Sequence, residues 1–145
     1  MSVLAENKKA RFDYEISETI EAGVELFGFE VKSVKAGKID LPGSRVIIRG
    51  GEAFLVGANI PPFQPKNAPA DYDPMRARRL LLHKEEIARL AGYLETNYYL
   101  VPIAAHLKNG MVKLELGLGR HRKKGDKREV IKKREVQKRI KRAED

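Results

Sequence analysis

A chain of 145 residues with 29 Lys and Arg against 20 Asp and Glu, a net charge of +9, fits one domain with a modest core. The lack of cysteine excludes disulfides and thiolate chemistry, and the lack of any run of ~18 apolar residues excludes a membrane-spanning helix. Residues 1–118 hold 16 basic and 15 acidic residues, a balance of +1, whereas residues 119–145 hold 13 and 5, a balance of +8. A nearly neutral body with a cationic arm favours a polyanion or an anionic membrane surface as partner.

The opening MSVLAENKKARFDYEI has no apolar stretch of signal-peptide length, so a cytoplasmic protein is expected. DYEISETIEAGVEL alternates apolar and polar residues and predicts a strand, with Gly23 at a bend or bulge. EVKSVKAGKIDL predicts a short helix with Val31, Val34 and Lys35 on one side and Gly37 as its stop. SRVIIRGGEAFLVGANI reads as a hairpin, Val46 to Ile48 and Ala53 to Val56, turned by Gly50-Gly51.

PPFQPKNAPADYDP, with five prolines in fourteen residues, must be a surface loop. In MRARRLLLHKEEIARLAGYLET, Ile87, Leu90, Ala91 and Leu94 fall at helical spacing, with His83 at the cap position and Glu86 three residues on. YYLVPIAAHLKNGMVKLELGLG is a second hairpin about Asn109-Gly110. Six or so short strands with two helices between them point to a mainly β fold, a small closed β-barrel with flanking helices.

Beyond Arg120 the sizeable apolar residues are Val130, Ile131, Val136 and Ile140, which make no single stripe. They cannot offset an ordering cost of ~1–2 kcal/mol per residue, so a tail that is disordered alone is expected. Asp126 followed by Glu129 has capping-box spacing, and Glu129–Lys133 and Glu135–Arg139 are favourable i,i+4 pairs, so the tail should become helical on nucleic acid. A solvated tail that aids solubility is the alternative. The expected division is a barrel over 1–118 and a tail over 119–145.

Six stretches in order resemble the small protein B family of transfer-messenger-RNA-binding proteins, of bacterial ribosome rescue. They are ENKKARFDYEI, EAGVELFGFEVKSVKAGKIDL, GEAFLVGANIPPF, DPMRARRLLLHKEEIARL, LVPIAAHLKNGMVKLELGLG and DKRE. The resemblance implies an OB-like closed barrel that holds the tRNA-like part of transfer-messenger RNA and carries it to stalled ribosomes for trans-translation. It also implies a tail that enters the empty message channel at the decoding centre, a monomer in the RNA complex, and no catalysis.

By this resemblance Glu30 in GFEVKS is an RNA contact, though spacing alone makes it an exposed acid or a partner for Lys32. Leu81 and His83 contact the RNA, where default readings are a core leucine and a capping histidine. Lys32, Lys113 and Arg120 join the interface, and Arg76, Arg78 and Arg79 grip phosphates or form a solvated cluster. Glu21, Ala22 and Gly23 form a turn beside the RNA, and Lys8 and Arg11 are weaker candidates. In the tail, Arg122, Lys123, Lys124, Asp126, Lys127 and Arg128 form the decoding-centre set. RHRKKGDKR departs from the family pattern, with His121 where Gly is usual and Gly125 where a ring is usual.

The rival classes are weaker. His83, His106 and His121 lie far apart, with no phosphate-binding Gly-rich loop and no metal-ligand cluster, so no catalytic residue, cofactor or metal is expected. A structural ribosomal protein also pairs a small barrel with a basic tail. Membrane binding by the tail lacks the apolar face it requires.

Overall fold

A computed structural model describes residues 2–123. In chain order the elements are β1 (Ser2–Glu6), α1 (Lys8–Asp13), β2 (Tyr14–Val24), α2 (Gly28–Lys35), β3 (Arg45–Arg49) and β4 (Glu52–Val56). A short 3-10 turn (Pro65–Asn67) precedes β5 (Arg78–Leu81), α3 (Lys84–Leu94), β6 (Tyr99–Lys108) and β7 (Met111–His121).

The two hairpins form as their turn residues require. Asn109 and Gly110 have φ of 52° and 77°, the left-handed pair of a two-residue turn that joins β6 to β7. The helix expected from Glu30 begins earlier, at Gly28, and the one expected after His83 runs from Lys84 to Leu94 with His83 as its N-cap. β1, α1 and β5 were not expected. Each is four to six residues long, too short to show a period of its own.

The seven strands of the described residues pair antiparallel in one sheet of order β1-β6-β7-β2-β5-β4-β3. Leu55, Leu80, Leu100, Leu114, Leu116 and Leu118 alternate inward from their strands and pack with Val34 of α2 and Leu90 of α3. A smaller apolar cluster, Ala10, Val101 and Ile103 with Tyr14 and Ile16, lies under α1 on the other face.

The mainly β fold with flanking helices is observed, but the barrel is not closed. β1 occupies the edge of β6 from Ala104 to Leu107. β3 comes up against β6 without a ladder, and a groove of about 300 Å³ lined by Val46, Ile48, Tyr99 and Leu100 marks the seam. β7 also carries the sheet to His121, past residue 118 where charge alone put the end of the body.

Candidate nucleic-acid interface

The register of three strands brings distant residues to one surface. Gly23 of β2 lies opposite Leu81 of β5 on one side and Lys113 of β7 on the other. A Cβ on Gly23 would stand 3.2 Å from Leu81 Cδ1 and 3.5 Å from Lys113 Nζ, so glycine lets both side chains close over the β2 backbone. Leu81 is 46% exposed, which rules out the core leucine expected by default. His83 is exposed two residues further on, its backbone N–H donating to Glu86 Oε1 at 3.3 Å in one half of a capping box.

Glu21 lies along β2 from Gly23, with Lys108 Nζ 3.4 Å from its carboxylate. Ala22 between them is buried in the main core, so its side chain offers nothing to RNA and its assignment as a contact is corrected. Lys32 is exposed on α2. Arg79 is 44% exposed and pairs with Glu25 at 3.0 Å and Glu52 at 3.5 Å. Such surface pairs are worth ~1 kcal/mol or less, so Arg79 can exchange them for a phosphate.

Glu30, Arg76 and Arg78 need a larger correction. Glu30 is fully buried at the N-terminus of α2, as is the Arg78 side chain. Arg78 donates to Glu30 Oε2 through Nε at 3.0 Å and through a terminal nitrogen at 2.7 Å, and to the Ala58 carbonyl at 2.8 Å. Arg76 donates to the same carboxylate, the Tyr72 hydroxyl donates to it at 2.8 Å, and the Phe27 N–H donates to Oε1 at 2.7 Å. With every lone pair engaged inside the protein, Glu30 has none for a base or ribose, and Arg78 has no surface for a phosphate.

Burial alone would raise the Glu30 carboxyl. Hydrogen bonds from Arg76, the Phe27 N–H, Arg78 and Tyr72 outweigh it and hold the group near about 2. The Tyr72 hydroxyl is pushed up to about 12, first by burial and then by its bond to Glu30. The carboxylate thus ties three segments together: α2, the proline-rich loop through Tyr72, and β5 with its approach through Arg76 and Arg78. Arg76 keeps partial exposure and lies 4.2 Å from the centroid of the Phe27 ring, a cation–π contact at the surface.

Phe27 and Met75 are 51% and 49% exposed along this edge and went unnoticed in the sequence. Nothing local in the sequence separates them from core residues, because the bonds from Glu30 to Arg76 and Arg78 that hold their segments together span 46 and 48 positions. Arg120 lies at the other end of β7, 4.5 Å from the centroid of the Tyr98 ring. Lys8 and Arg11 line a recess of about 150 Å³ with His106 and Glu115. Arg122 follows β7, its N–H donating to the Asp13 carbonyl at 2.8 Å, and Lys123 is exposed. Lys124, Asp126, Lys127 and Arg128 lie outside the described residues. Among the described residues no group of His, Asp or Glu is assembled to hold a metal, and no helix is long and apolar enough to cross a membrane.

The chain is similar to known proteins along nearly its whole length. The family model described as SmpB protein matches residues 4–145. The SsrA-binding protein of Synechococcus elongatus is 48% identical over 144 residues, covering 99% of this chain and 94% of that protein. The SsrA-binding protein of Anoxybacillus flavithermus is 48% identical over 142 residues, covering 97% and 92%. A solved structure described as "tmRNA-SmpB: a journey to the center of the bacterial ribosome" contains a chain that superposes with a TM-score of 0.69. That chain is 45% identical, with coverage of 86% of this chain and 87% of that one.

Proposed function

This chain belongs to the SmpB protein family, and from that premise we propose how it works. It binds the tRNA-like domain of transfer-messenger RNA and delivers that RNA to stalled ribosomes for trans-translation. The observation that carries the reading is the meeting of Leu81 and Lys113, far apart in sequence, over the buried backbone of Gly23. A flat apolar contact beside a lone cation suits recognition of a folded RNA by shape and a few backbone contacts. Arg79 and His83 extend the surface. Glu30 and Arg78 serve it from below by fixing Arg76 and β5.

The body supplies RNA affinity and the cationic residues beyond it supply ribosome sensing. Arg122 to Lys124 with Asp126, Lys127 and Arg128 follow the body into the message channel at the decoding centre, where message would exclude them by volume and by charge. The protein acts in the cytoplasm, as a monomer in the RNA complex, and carries out no bond chemistry. Purified protein incubated with labelled RNA should therefore leave the RNA intact.

The test is co-purification from bacteria. Transfer-messenger RNA should be the retained RNA, and Leu81→Ala with Lys113→Ala should lose it while keeping the fold. A structural ribosomal protein would instead appear at one copy on every small subunit, whether or not ribosomes are stalled.

A further inference from the structure

At the far end of the β2–β7 ladder from Gly23 lies a second group of residues with no part in the surface above. Tyr14 stands opposite His121 in register, their ring centroids 4.3 Å apart at 36°. Tyr99 meets His121 edge-on at 5.0 Å and Tyr14 at 5.6 Å. Tyr14 is half-buried against the Ala10–Val101–Ile103 cluster, whereas His121 is exposed and Tyr99 is 39% exposed. They line a recess of about 210 Å³ that is also walled by Lys9, Asp13 and Arg45.

Ordered rings left open to water, flanked by cations, match the chemistry of an unpaired nucleotide. Ring faces accept a stacked base of any sequence, Lys and Arg neutralise its phosphate, and a carboxylate accepts from an exocyclic amino group. Arg45 enters the recess from β3, an edge strand of the sheet. Gly23 lies nine positions along β2 from Tyr14, roughly 30 Å at the usual strand rise, so one nucleotide cannot serve both places.

We propose that the Tyr14–Tyr99–His121 recess is a stacking site for one unpaired RNA nucleotide, whose base extends the Tyr14–His121 stack beside Lys9 and Arg45. The site sits where the chain leaves the sheet, since His121 is the last residue of β7. The nucleotide belongs either to the RNA held at the Gly23 surface or to ribosomal RNA beside it, and the base and phosphate chemistry is common to both.

The test uses the full chain with two probes: hexaadenylate, and an abasic phosphodiester oligomer of the same length. The abasic probe measures general attraction to the cationic residues, so the affinity ratio isolates base stacking. Moderate salt, near 0.3 M, screens the remainder. Hexaadenylate should bind roughly tenfold better than the abasic oligomer, and His121→Ala should remove most of that advantage. His121→Phe should restore it, and Lys66→Ala, an exposed lysine of the Pro65–Asn67 turn, should leave it unchanged. Equal affinity for the two probes overturns the proposal.

In the unsubstituted protein, ring resonances of Tyr14, Tyr99 and His121 should move on adding hexaadenylate; if they stay still while binding saturates, the site is elsewhere. A photo-crosslinker at position 121 in ribosome-bound complexes distinguishes the sources. A crosslink to an unpaired nucleotide of either RNA supports the site, and a crosslink to duplex RNA or protein alone refutes it.

Discussion

Glu30 joins α2 to β5 through Arg78 and to the proline-rich loop through Tyr72. From its spacing it is an exposed acid, and by resemblance an RNA contact, yet its carboxylate is enclosed by Arg76, Arg78, Tyr72 and the Phe27 N–H. The bond to Arg78 spans 48 positions of sequence, and no local pattern encodes it. Removing Glu30 strands a buried guanidinium, which costs about 3–5 kcal/mol. Glu30→Ala should therefore lower the melting temperature severely and lose RNA binding along with folding. Thermal unfolding unchanged by the substitution would show the network to be unimportant. The folded carboxyl lies near about 2 against an ordinary 4.5, so its contribution is full above 4.5 and lost as pH falls towards 2. That contribution is on the order of 3 kcal/mol. A stability profile over pH 2–6 should show a step in the native protein that is missing from Glu30→Gln. Leu81→Ala, by contrast, trims an exposed side chain and should change stability by about 0.5 kcal/mol or less while weakening RNA binding.

Elements were legible in proportion to how local their cause is. The Asn109-Gly110 turn, the His83 cap and the proline-rich loop are decided by neighbouring residues, and all three stand where the sequence puts them. Strands β1 and β5 depend on partners far along the chain, β1 on β6 and β5 on both β2 and β4, so nothing within them marks them as strands. The same holds for the seam, which exists because β1 takes the edge of β6 that closure would need. Close packing of β7 on β2 is also invisible in sequence. A Cβ at Gly119 would fall on the Glu15 carbonyl, beside the bulge between Ile16 and Glu18. Gly119→Ala should accordingly cost about 2 kcal/mol or more, read as a lowered denaturation midpoint, whereas Gly92→Ala, with open space around it, should not.

At the scale of the whole molecule, the charge division seen in the sequence needs a different cut. Ending the chain after residue 118 would strip the last strand residues and the Arg122 bond to Asp13. A chain that ends at Lys123 should fold, retain transfer-messenger RNA and fail in tagging of stalled chains. Loss of RNA retention in that truncation would contradict the proposed separation of roles.

The pairing pattern has a mechanical consequence. Nine residue pairs join β2 to β7, but two, Gly23–Leu81 and Val24–Leu80, join β2 to β5 and with it the β3–β4 hairpin. This narrow joint lies directly beneath the surface assigned to RNA. Amide hydrogens of β5 should exchange with solvent sooner than those of β7, and bound RNA should slow β5 the more. Cargo would then act as a splint, and the unloaded protein would be the looser of the two.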